Sequence, residues 1–150
     1  MKRLFILLVF PILFTTSGCK KEVDYTQIDE DIIQQYIIDN NLNAQATGSG
    51  LYYVMDNPGN GDTPNINSTV TVAYVGKLTN GTIFDQSGSV PATFQLSGVI
   101  QGWQEGIPLF SEGGSGTLLI PSVLGYGNQA VGSIPPNSVL IFDVDLINVF

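Results

Sequence analysis

Residues 70–103, VTVAYVGKLTNGTIFDQSGSVPATFQLSGVIQGW, hold the side chains best suited to building a site in this chain. Phe84, Val99, Ile100 and Trp103 are apolar or aromatic and Asp85 is a carboxylate, and a hairpin with a short helix can gather them into a candidate pocket. The available reagents are few. Histidine is absent and Cys19 is the single cysteine, which removes histidine triads, cysteine–histidine dyads, histidine metal sites and internal disulfides together. Chemistry is left to carboxylates, hydroxyls, backbone groups and apolar walls.

Charge excludes a further class. The bases are Lys2, Arg3, Lys20, Lys21 and Lys77, so residues 22–150 set one base against all 13 acids, a net of −12 behind the whole-chain value of −8. Nucleic-acid binding needs several Lys or Arg contacts to phosphates, and that stretch has only Lys77 to offer. A chain of 150 residues with 43% apolar content suits one domain with a short appendage.

The appendage comes first. Residues 1–18 join a basic start to an apolar run over 4–14 and the small residues Thr15, Thr16, Ser17 and Gly18, the three-part layout of a secretory signal cleaved before Cys19. The apolar run is too short to span a bilayer core of about 30 Å as a helix. Ser17-Gly18-Cys19 resembles a bacterial lipobox, with Thr16 where that motif most often has leucine. Lipid on the Cys19 thiol would tether the protein to a membrane; the competing reading is ordinary secretion with a free thiol. Residues 19–49 then form a polar tether and an amphipathic helix over 27–42, with Ile28, Ile32, Ile33, Tyr36 and Ile37 at spacings of three and four. Asp29, Glu30 and Asp31 are expected in its first turn, favourable to the helix dipole, and Asn40-Asn41 at its end. This helix packs its isoleucine stripe on the domain, or pairs with a second copy in a homodimer through residues 27–42. Residues 43–50 read as a flexible joint.

From residue 51 the period becomes alternating. Strands are expected over 51–55, from Val70 to a turn at Asn80-Gly81, back through Phe84-Asp85, over 93–96, 115–120 and 139–149. Val70, Val72 and Tyr74 share one strand face; Leu140, Phe142, Val144 and Leu146 point inward from the last strand, with Asp143 and Asp145 outward. Residues 100–110 put Trp103, Ile107 and Phe110 on one side of a helix that Pro108 can end early. The fold class is α+β: a mainly antiparallel sheet of about five strands with one short helix across it, over residues 50–150, preceded by the N-terminal helix.

Four blocks in order, YVGKLTNGTIFD, VIQGWQEG, IPSVLGYG and IPPNSVLIFDVDL, resemble the FKBP-type peptidyl-prolyl cis-trans isomerases over roughly residues 50–150. The resemblance implies a twisted antiparallel sheet wrapped around a short helix. It implies a pocket floored by Trp103 and walled by Tyr74, Phe84, Val99, Ile100, Ile134 and Phe142, with Phe94 beside them. The carbonyl before the proline would be held by the Ile100 N–H and the Tyr126 hydroxyl, and Asp85 would match a buried carboxylate. On that reading Tyr74, Phe84, Asp85, Ile100, Trp103, Tyr126 and Phe142 carry catalysis, and Val99, Ile134 and Phe94 bind substrate.

The residues read on their own fit this partly. Aromatic and aliphatic side chains on strand faces are more often plain core than ligand wall, and Asp85 could simply cap a turn. Tyr126 between two glycines suits an exposed, tightly turned loop. Three departures stand out: Ala92 occupies the position of a second aromatic, no arginine lies near Asp85, leaving it to hydrogen bonds such as one from Tyr74, and Gly125 replaces a common alanine. The implied partners are proline-containing segments of exported proteins, macrolides such as rapamycin and tacrolimus, and a membrane at the bacterial cell envelope, on the outer membrane or the periplasmic side. No cofactor or metal is implied. The alternatives are a proline-segment binding module without turnover, or a folding chaperone.

Overall fold

The computed structural model describes residues 23–150. The signal-like segment and Cys19 lie outside the described residues. Alternation builds the central strands. β3 (Thr69–Leu78) and β7 (Leu140–Val149) pair antiparallel from Val70 beside Val149 to Leu78 beside Leu140. β1 (Gln45–Ala46), β2 (Tyr52–Asn57), β4 (Ile83–Gln86), β5 (Ala92–Gln95) and β6 (Ser115–Ile120) complete an antiparallel sheet in the order β1-β2-β6-β7-β3-β4, with β5 also on β3. The sheet has seven strands rather than about five. One addition is β1, a two-residue piece inside the expected joint, too short to show a period.

One face of the sheet carries the main core. Val70, Val72, Leu118, Ile120, Leu140, Phe142, Val144 and Leu146 are buried there against Trp103, Ile107 and Phe110. The helix that crosses this face, α2 (Gln101–Gly106), is shorter than expected and passes into a 3-10 turn over Ile107–Leu109, with Pro108 inside the turn. Two glycines one helical turn apart let α2 lie directly on β6. A side chain at Gly102 would run into Ile120, and a Cβ at Gly106 would stand 2.7 Å from Leu118.

The opposite face has its own cover. Alternation sends Leu119 and Ile141 away from α2, and both are buried with Val139 under Ile33 of the N-terminal helix α1 (Tyr25–Asp39). The buried stripe therefore runs through Ile33, with Tyr36 and Ile37 at its edge, while Ile28 and Ile32 stay more than a third exposed. α1 starts two residues earlier than expected, capped by Asp24, whose carboxylate accepts from the Thr26 N–H at 3.0 Å. That moves Asp29, Glu30 and Asp31 out of the first turn, and Asp29 is fully buried instead of serving the helix dipole. Asn40 and Asn41 do end the helix, Asn41 in the left-handed region (φ 50°) that asparagine tolerates.

Candidate functional site

A residue with no side chain opens the site. Gly76 on β3 sits opposite Asp85 on β4 and Phe142 on β7. A Cβ there would come within 2.6 Å of the Phe84 ring and 2.8 Å of the Phe142 ring. Its absence lets those rings meet edge to face at 5.4 Å. Below them α2 supplies Trp103, only 4% exposed. Tyr74, Phe94 and Phe142 stand nearly perpendicular to its indole, with centroids at 5.2, 5.5 and 5.3 Å. Edge-to-face pairs add roughly 0.5–1.5 kcal/mol each beyond area burial, so the floor and walls brace one another. With Phe84, Val99, Ile100 and Tyr126 they enclose a cavity of about 320 Å³, within the roughly 300–1,000 Å³ usual for small-molecule sites.

Polar groups are sparse and divided in their duties. The Tyr74 hydroxyl donates to Asp85 Oδ2 at 2.8 Å, the bond expected in the absence of an arginine, and Asp85 Oδ1 accepts from the Gln86 N–H at 2.9 Å. Burial, the hydrogen bond to Asp85 and the Asp85 charge push the Tyr74 phenol up to about 12. Tyr126 is also shifted up, by burial first and then by Asp85. The Tyr74 proton is engaged, but the Tyr126 hydroxyl has no protein partner among the described residues. Tyr126 stands on the loop after β6, between glycines whose N–H groups both donate to the Ser122 carbonyl. The Ile100 N–H is unengaged as well, and so, among the described residues, is the buried Trp103 Nε1–H of the floor. Ile100 caps α2, its carbonyl accepting from the Trp103 and Gln104 N–H groups at 3.0 and 3.1 Å while its own N–H donates to no protein group among the described residues.

Nine of the ten pocket residues expected from sequence line the cavity: Tyr74, Phe84, Asp85, Phe94, Val99, Ile100, Trp103, Tyr126 and Phe142. Ile134 does not. A two-residue bridge to Val131 fastens its backbone, and its side chain is buried in the main core. Asp85 is exposed rather than buried, because it stands on β4, a short strand at the edge of the sheet. Ala92, on β5, pairs with Val72 of β3 and lies off the cavity. Sequence reasoning missed Gly98, which lines the cavity, and Gln104, whose Nε2 donates to the Val99 carbonyl at 2.7 Å and steadies the turn leading to Ile100. The only sign of Gln104 was its place one helical turn after Ile100. Among the described residues no three His, Cys, Asp or Glu side chains converge as metal ligands.

Residues 61–147 match the FKBP-type peptidyl-prolyl cis-trans isomerase domain. A probable FKBP-type peptidyl-prolyl cis-trans isomerase of Haemophilus influenzae is 49% identical over 108 residues, covering 70% of this chain and 45% of that protein. The peptidyl-prolyl cis-trans isomerase Mip of Coxiella burnetii is 43% identical over 113 residues, covering 73% of this chain and 49% of its own. The chain thus spans less than half the length of these relatives. Among solved structures, FkpA from Escherichia coli superposes with a TM-score of 0.74 at 36% identity, over 83% of this chain and 62% of that one. A peptidyl-prolyl cis-trans isomerase from Pseudomonas syringae pv. tomato gives 0.71 at 32% identity, over 83% and 95%. The matched domain begins before β3 and ends within β7, so it takes in every strand and turn that shapes the cavity, and the chain belongs to the family of FKBP-type peptidyl-prolyl cis-trans isomerases.

Proposed function

We propose that this chain is a peptidyl-prolyl cis-trans isomerase that speeds proline-limited folding of exported proteins at the bacterial cell envelope. The supporting observation is the pairing of a Trp103-floored apolar cavity with two unengaged donors, the Ile100 N–H and the Tyr126 hydroxyl. Turning the bond before proline breaks amide resonance against a barrier of ~18–20 kcal/mol. The twisted amide has less charge separation than either planar isomer, so an apolar enclosure favours it over the ground state. The proline ring sits over Trp103 between the Phe84, Phe142 and Tyr74 rings. The two donors hold the preceding carbonyl while the rest of the amide turns. Asp85 acts through Tyr74, whose hydroxyl it keeps out of the cavity's hydrogen bonding. No nucleophile or proton shuttle takes part.

The envelope location rests on the signal-like residues 1–18 and lipid attachment at Cys19, which would anchor the chain by its N-terminus. Loss of fatty-acid labelling in a Cys19→Ser variant is the check on that attachment. A homodimer through residues 27–42 belongs to the same reading, with Ile28 and Ile32 on the face that α1 leaves partly exposed.

The deciding experiment is isomerisation of a short proline peptide by residues 22–150, beside a Tyr126→Ala, Phe142→Ala double variant, with and without rapamycin. Turnover abolished by both the macrolide and the variant is the expected result. Tight macrolide binding without turnover would replace the isomerase with a binding module, and suppression of aggregation of proline-free clients would point to a chaperone.

A further inference from the structure

Asp29 is the one acidic side chain among the described residues that is fully buried. Its Oδ2 accepts from the Ser122 N–H at 2.8 Å and from the Ser122 hydroxyl at 2.6 Å. Its Oδ1 has no partner among the described residues. Burying a carboxylate with one oxygen unmatched costs stability, and α1 is already fixed to the sheet by Ile33. What the carboxylate adds is a fixed Ser122.

Ser122 is the hub of the Tyr126 loop. It follows β6 and Pro121 and opens the 3-10 turn Ser122–Leu124. Its carbonyl accepts from the N–H groups of Gly125 at 3.0 Å and Gly127 at 2.8 Å, the residues on either side of Tyr126. The Gly127 carbonyl in turn accepts from the Asn137 N–H at 2.7 Å, fastening the far end of the loop to the same point. A continuous set of hydrogen bonds therefore runs from α1 to both neighbours of Tyr126. The Tyr126 side chain is 36% exposed and has no protein hydrogen bond of its own, so its backbone is what aims it.

We propose that Asp29 is a positioning residue that, through Ser122, aims the Tyr126 hydroxyl into the cavity and makes α1 a working part of the site. The effect on rate rests on the isomerase reading; the effect on the loop does not. The test uses the full chain as wild type, Asp29→Asn, Ser122→Ala and Ser122→Thr, each with Tyr126 and with Tyr126→Phe. With Tyr126 present, Asp29→Asn and Ser122→Ala are expected to lower kcat/KM roughly threefold to tenfold, the scale of one hydrogen bond, with Ser122→Thr restoring most of it. With Tyr126→Phe, none of these changes should matter further. Amide exchange at Gly125 and Gly127 should quicken in Ser122→Ala while β3 and β7 keep their protection. Equal losses in both backgrounds, or unchanged exchange at the two glycines, would overturn the proposal. If the wild type shows no turnover, the isomerase reading fails by itself. The same variants are then compared by affinity for the proline peptide, where absence of coupling to Tyr126 would still sink the positioning role.

Discussion

At the residue scale the proposed reading gives the two tyrosines of the cavity different work, Tyr126 as donor and Tyr74 as support, and pH separates such a site from the acids and bases used by most enzymes. No histidine is present, so nothing with an ordinary imidazole value titrates between about pH 6 and pH 8, and kcat/KM for a proline peptide should be flat there. An inflection near neutrality would mean that a different, strongly shifted group takes part. At alkaline pH the sign is set by Tyr74, held protonated up to about 12 in the folded state against about 10 in an unfolded chain. A folded value above the unfolded one contributes stability that is full below about pH 10 and is lost as pH climbs towards 12. Urea unfolding across that window should show the wild type losing more stability than Tyr74→Phe. Parallel curves would mean that neither the burial of the Tyr74 hydroxyl nor its bond to Asp85 persists in solution.

At the scale of elements, close approach governs, and it explains which parts were legible in sequence. α2 reaches β6 only because Gly102 and Gly106 have no Cβ to meet Ile120 and Leu118. Gly102→Ala should therefore cost ~1–3 kcal/mol as an overpacked contact, measured by urea unfolding, while Gly98→Ala, with no atom within 4 Å of its Cβ, should be near neutral. Equal costs would place the helix elsewhere. The same contacts show why β3 and β7 could be read directly: one residue in two points inward, and Val70, Val72, Phe142 and Val144 keep that period. The cavity could be read as well, since its walls sit in compact blocks such as Phe84-Asp85 and Val99-Ile100. The buried face of α1 could not, because isoleucines at 28, 32 and 33 allow two stripes, and the choice is made by a sheet face and by Ser122, 93 positions away from Asp29. Ile134 and Asp85 were misplaced for related reasons. A bridge within a loop and the openness of an edge strand are tertiary facts with no periodic signature.

At the scale of the whole molecule residues 22–150 carry charge of almost one sign, and on the proposed reading that charge would bias which clients reach the cavity. Residues 22–150 hold one base against 13 acids. That base, Lys77, is engaged by Asp143 at 2.6 Å. Asp85 lies exposed at the cavity, so an approaching segment meets negative potential with no unengaged cation among the described residues to offset it. Such a field would act on encounter more than on the turning of the amide, because steering raises association rates while the proposed reading puts the twisted bond among apolar rings. Two proline peptides differing only in flanking Lys or Glu should therefore differ severalfold in kcat/KM at low ionic strength, with the Lys peptide favoured and kcat little changed. The gap should close as salt rises past about 0.1–0.15 M, where the screening length falls to ~8–10 Å. A preference that survives high salt would locate the discrimination in direct contact with Asp85, and a Glu preference would mean that a cationic partner, absent from residues 22–150, completes the surface that clients meet.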